Sequence, residues 1–227
     1  MIGWNQGPSA CATHCPSRWS AASASERANS RLFLTELCDV LGVPHPDAHR
    51  HGGYAFEFPV PQENRDGSVT EGRIDLYKRG CFVLESKQFH AAQAEPTQLQ
   101  LAAEQAGAIS SAKKKSGAVR GTEKWDDAMF KARGQAERYI RSLPQDEPTP
   151  PFLIVVDVGD TFEVYADFTQ AGKAYQMFPD PRGFRLRLSG LEREEIRERL
   201  RTIWTNPFSL DPARRSAAVT RTGIRQD

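Results

Sequence analysis

The order of segments predicts an α/β (α+β) fold, a mixed central sheet flanked by helices. Three observations carry that prediction. An amphipathic helical stretch precedes an alternating strand and a hairpin, and a second, longer amphipathic stretch follows the hairpin. The most apolar run, Phe152–Val158 (F-L-I-V-V-D-V), comes only after that second stretch. A strand so apolar is covered on both faces, and helices on either side of a sheet supply the cover.

Taken in order, residues 1–22 are rich in Ser, Ala, Gly and Pro and are expected to form a poorly ordered lead-in. Ser23-Ala24-Ser25-Glu26 has the S-x-x-E form of a capping box and predicts a helix start. Phe33, Leu37, Val40 and Leu41 continue it at helical spacing until Gly42, Pro44 and Pro46. Tyr54–Val60 alternates aromatics at even positions (Tyr54, Phe56, Phe58) and reads as a strand, which Pro59 confines to a strand end or an edge. Asn64–Gly67 is a turn. Trp125, Ala128, Met129, Ala132, Ala136, Tyr139, Ile140 and Leu143 mark one face of the second helix. After the proline-rich Pro144–Pro151 come strands at Phe152–Val158, Thr161–Phe168 and Phe184–Leu188, then a charged helix over Leu191–Trp204. Ser209 or Asp211 begins a further helix with Pro212 in its first turn. The expected division is a lead-in over 1–22, one domain over 23–190, and a helical C-terminal segment over 191–227.

Composition narrows the function classes. With 39% hydrophobic and 26% charged residues the chain can build a core. Thirty basic against 29 acidic residues leave a net charge of +1, so nucleic-acid contact must come from local clusters. No apolar run approaches the ~20 residues of a membrane span, and no signal peptide is indicated, which predicts a cytoplasmic protein without a membrane partner. Cys11, His14 and Cys15 lack a second ligand pair at zinc spacing. His45, Asp47, His49 and His51 suit a loop better than a metal centre. Cys38 and Cys81 read as small buried hydrophobes.

The chemistry concentrates in Gly72–Gln88 (G-R-I-D-L-Y-K-R-G-C-F-V-L-E-S-K-Q), where Ile74–Tyr77 and Cys81–Leu84 flank a turn signal. Glu85 and Lys87, two apart, share a face. A two-residue loop pairs Lys78 with Cys81 and sends Asp75 to the opposite face. A three-residue Lys78-Arg79-Gly80 loop pairs Asp75 with Val83 and gathers all three charges, with Asp75 and Glu85 about 7–8 Å apart as diagonal neighbours. A Glu and a Lys at the end of a doubly covered strand need compensation. That compensation is either an internal Glu85–Lys87 or Asp75–Lys87 ion pair, or a cation shared by Asp75 and Glu85. Glu36, beside the first helix stripe, is a solvated residue or a further carboxylate near this hairpin. The run Lys113, Lys114, Lys115 with Arg120 is a solvated loop or a phosphate-contacting one. Gln135 and Tyr139 are i, i+4 neighbours at the edge of the second helix.

Gly72-x-x-Asp75, Glu85-Ser86-Lys87 and Gln135-x-x-x-Tyr139, in this order and on these elements, resemble the RecB-like branch of the PD-(D/E)XK nucleases. A closer resemblance runs from about Arg18 to Thr220. Ser25–Gly42, Gly72–Gln88, Lys114–Arg141 and Thr205–Ala213 look like the N-terminal nuclease region of single-chain type IIL/IIG restriction–modification enzymes of the MmeI-like family. Those enzymes join a nuclease to a helical spacer, an adenine methyltransferase and a target-recognition domain, and act in phage defence. The resemblance implies a PD-(D/E)XK restriction-endonuclease-like core and a Mg²⁺- or Mn²⁺-dependent DNA endonuclease. In it Asp75, Glu85 and the carbonyl of Ser86 hold the metal, and Lys87 and Gln135 serve the reaction. Double-stranded DNA is the implied partner, met by Lys113, Lys114, Lys115, Arg120 and Tyr139.

No N-P-P-Y-type motif or S-adenosylmethionine signature is present, so methylation is expected from a missing portion acting in trans. Residues 191–227 then read as the start of a truncated spacer. Two other functions fit the same residues: an inactive remnant that binds DNA or serves as a scaffold, and a stand-alone RecB-like repair exonuclease.

Overall fold

The computed structural model describes Trp19 and residues 26–47, 53–63, 66–89 and 118–214. Among them α1 (Glu26–Leu41) leads into β1 (Tyr54–Glu63), β2 (Val69–Lys78) and β3 (Phe82–Lys87). Next come α2 (Glu123–Arg141), β4 (Phe152–Asp157), β5 (Thr161–Ala166), β6 (Gln176–Met177), β7 (Arg185–Arg187) and α3 (Glu194–Thr205). The described strands form one seven-stranded sheet in the order β1-β2-β3-β4-β5-β6, with β7 also pairing β5. All pairs are antiparallel except β3 with β4. A parallel pair needs a long crossover, and α2 lies within it. The result is a mixed sheet with helices on both faces, an α/β PD-(D/E)XK-like core.

Burial explains the layering. β4 and β5 are buried at every position and β3 at all but Lys87. Phe33, Leu37, Leu76, Leu84, Ile154, Val156, Leu200 and Trp204 form the core on the α1/α3 face. Ile74, Tyr77, Val83, Val155, Trp125, Met129, Ala132 and Ile140 form the core beneath α2. Pro59 and Pro61 lie in β1 on the sheet edge, where a missing N–H leaves no ladder bond unmade. Among the described residues no helix is long and apolar enough to cross a membrane.

Four expectations are corrected. Within the expected C-terminal segment, α3 and the turn before it are integral to the core. Leu191, Ile196, Leu200, Ile203 and Trp204 are all buried, and Trp204 packs on Phe82 at 4.2 Å and donates to Tyr54 Oη at 2.9 Å. Arg201 Nε donates to the terminal α1 carbonyl of Leu41 at 2.7 Å, so α3 is also tied to α1. Trp19, inside the expected lead-in, is buried edge-on against Phe33, with ring centroids 5.5 Å apart. Glu36 accepts from the Trp19 indole at 2.7 Å and does not line the hairpin cleft. Phe58 does not share a face with Tyr54 and Phe56; it packs on Tyr77 at 4.5 Å on the α2 side.

Candidate active site

The turn of the β2–β3 hairpin decides where the carboxylates go. Lys78 pairs with Phe82, Tyr77 with Val83 and Leu76 with Leu84, leaving Arg79-Gly80-Cys81 as the loop. The loop has three residues, one position later than the sequence reading set it, so half-buried Cys81 ends the turn rather than opening β3. Cys81 N donates to Lys78 O at 3.0 Å, which makes Gly80 the third residue of a β-turn, and its φ of +66° is the left-handed conformation that glycine supplies most easily there. Continued one step beyond its last pair, this register would set Asp75 opposite Glu85, on the same face, instead of against Val83.

At that point the strands part. The β2–β3 ladder ends at Leu76↔Leu84, and Asp75 Oδ2 accepts from Ser86 N at 2.7 Å and from Ser86 Oγ at 2.6 Å. A side-chain carboxylate thus stands in for the backbone carbonyl that a continued ladder would offer. Ser86 Oγ also lies 3.0 Å from Ser30 Oγ on α1, which fixes the far side of the opening. The cleft between the parted strands has a volume of about 650 Å³ and is lined by Asp75, Glu85, Ser86, Lys87, Gln135 and Tyr139. Six residues expected at the site therefore share one cleft.

Glu85 is 1% exposed at the cleft floor, and Lys87 Nζ donates to its Oε1 at 2.8 Å. Desolvation of two charges offsets most of their attraction, so such a pair is a poor source of stability. Gln135 Nε2 donates to Tyr139 Oη at 3.0 Å across one turn of α2. The Tyr139 ring reaches β2 because residue 72 is glycine: a Cβ there would lie 2.6 Å from Tyr139 Cε1 and 2.8 Å from Gln62 Cγ.

Arg120 is used differently from the expectation that grouped it with the lysine run. Its Nε and Nη2 donate to Asp157 Oδ2 and Oδ1, each at 2.8 Å, and Nη2 also donates to Val158 O. Asp157 is fully buried and accepts a further bond from Trp125 Nε1 at 2.9 Å. The pair closes the end of β4 beside Lys87, its register partner. Burial alone would lower the Arg120 pKa, but the Asp157 carboxylate raises it overall.

Lys113, Lys114 and Lys115, the Cys11-His14-Cys15 group, and His49 and His51 lie outside the described residues. His45 pairs with Asp39 at 2.7 Å. Among the described residues no group of three or more His, Cys, Asp or Glu side chains is placed to hold a metal ion.

Sequence reasoning missed Arg31, Glu71 and Arg73 and left the role of Glu57 open, and all four also line the cleft. Only Glu57 carried a signal, as a charge inside an otherwise apolar alternating strand.

A mixed sheet whose parting strands carry D and E-x-K into one cleft, with Q-x-x-x-Y from the crossover helix, defines a restriction-enzyme-related domain. The family model described as "MmeI, N-terminal domain" matches residues 9–220, nearly the whole chain. The chain belongs to that family. No curated protein and no solved structure is significantly similar to it.

Proposed function

We propose that this chain is a Mg²⁺- or Mn²⁺-dependent DNA endonuclease domain of a restriction–modification system. The observation supporting this most is the meeting of Asp75, Glu85, Ser86 and Lys87 where β2 and β3 separate. The donor set fits a hard cation. Asp75 and Glu85 offer carboxylate oxygens and Ser86 a backbone carbonyl, few enough to leave the water positions that Mg²⁺ retains. Bound there, such an ion lowers the pKa of a coordinated water and offsets charge on the scissile phosphate.

The protein's own groups do the rest. Lys87 Nζ, now donating to Glu85, turns toward the attacking water and stabilises the negative charge developing on the phosphate. The Gln135 amide holds the water or a phosphate oxygen, and Tyr139 fixes that amide. Lys113, Lys114 and Lys115 supply phosphate contacts on double-stranded DNA. Target recognition and methylation come from a separate portion, in cis or in trans.

The test is conversion of supercoiled plasmid with Mg²⁺ or Mn²⁺ against EDTA, for wild type, Asp75→Ala and Lys87→Ala. Metal-dependent nicking should fall by about 10²-fold or more in each variant. The Glu85–Lys87 ion pair also suits a domain that binds DNA without cutting it. Binding without nicking would select that reading, and cleavage confined to linear ends would select an exonuclease.

A further inference from the structure

Strand alternation fails at one position, and the failure lies at the cleft. β1 and β2 keep one register from Tyr54↔Lys78 to Glu63↔Val69, yet no pair forms between Glu57 and Asp75, which that register sets opposite each other. Across the gap both strands exchange faces. Phe56 and Leu76 belong to the α1/α3 side, whereas Phe58 and Ile74 belong to the α2 side. Glu57 has φ +51°, in the left-handed region that side chains rarely adopt and that Gly and Asn populate most easily. One left-handed residue rotates the strand and breaks its period of two.

The consequence falls on Asp75. Asp75 forms no pair with β1, and its carboxylate crosses to β3 and takes the Ser86 amide and hydroxyl. Glu57 and Asp75 both line the cleft. Left-handed non-glycine residues persist only where the surrounding structure over-determines them, and they cluster at functional sites.

We infer that Glu57 is a positioning residue whose left-handed backbone, rather than its carboxylate, turns Asp75 out of the β2 ladder and onto Ser86. Its effect on cleavage rests on the nuclease reading; its effect on the Asp75–Ser86 bond does not. The test is a series in the full chain, Glu57→Gly, Glu57→Asn, Glu57→Ala and Glu57→Val, read by amide hydrogen exchange at Ser86, thermal midpoint and metal-dependent nicking. Gly and Asn accept the left-handed backbone, so both variants should keep Ser86 protection and nicking at the wild-type level. Val disfavours it most, and Ser86 exchange should rise about tenfold or more as a charge-assisted bond is lost, with nicking falling in parallel. Should the Val variant not fold, the Ala variant carries the same comparison at smaller amplitude.

Unchanged Ser86 exchange in both Ala and Val variants overturns the inference. So does a Glu57→Gly variant that loses nicking while Ser86 stays protected, because the carboxylate would then be the active part. A wild type that never nicks DNA contradicts the proposed function, and the Ser86 comparison still decides the role of Glu57.

Discussion

Gly72 and Tyr139 define each other, since the ring occupies the space a β-carbon would need. Gly72→Ala should lower stability by about 1–3 kcal/mol, seen in a urea midpoint, and Gly72→Ala/Tyr139→Ala should recover part of that loss. The G-x-x-D pattern named this glycine, but the sequence could not give its reason, because the contact arrives from a helix far along the chain. Arg120 shows the opposite case. A basic neighbourhood pointed it outward, while the informative residue was Asp157, a lone charge at the end of F-L-I-V-V-D-V that had to find a partner. Removing one member of a buried pair leaves the other uncompensated. Asp157→Ala is therefore expected to cost about 3–5 kcal/mol by chemical denaturation.

At the scale of elements, the hairpin loop was legible in its glycine, was left between two and three residues in length, and was not legible in its position. Lys78, Arg79 and Gly80 are all acceptable loop residues, and only packing selects Phe82 as the partner of Lys78. Even so, every three-residue loop brings Asp75 to the face of Glu85. β1 was legible as a strand, and its face was legible only up to Phe56. The left-handed Glu57 reverses the pattern, and a glutamate gives no warning of that conformation. α3 was legible as a helix, but its charged surface and position after the last strands hid its place in the core. Trp204→Ala should cost about 3–5 kcal/mol, measured by equilibrium unfolding with tryptophan fluorescence or far-UV dichroism. A chain ending at residue 190 should fail to fold. A stable, cooperatively unfolding 1–190 fragment would contradict the placement of α3 in the core.

For the whole molecule, the order helix, strand, hairpin, helix, strand was enough to give the sheet and its layers. The apolar runs of β3 and β4 required cover on both faces, and a parallel pair required the crossover that contains α2. The cleft itself needed three dimensions. Charges from β2 and β3 meet Gln135 and Tyr139 of α2 because β2 leaves β3 at Leu76↔Leu84 while remaining paired to β1, an event no local pattern announces. Metal-dependent cleavage at this cleft depends on Asp75 and Glu85 forming one cation site. Mn²⁺ titration followed by electron paramagnetic resonance tests this without DNA, in wild type, Asp75→Asn and Glu85→Gln. The wild type should bind Mn²⁺ at this site, and both variants should lose it while each remains folded. Equal Mn²⁺ binding in all three proteins would contradict it.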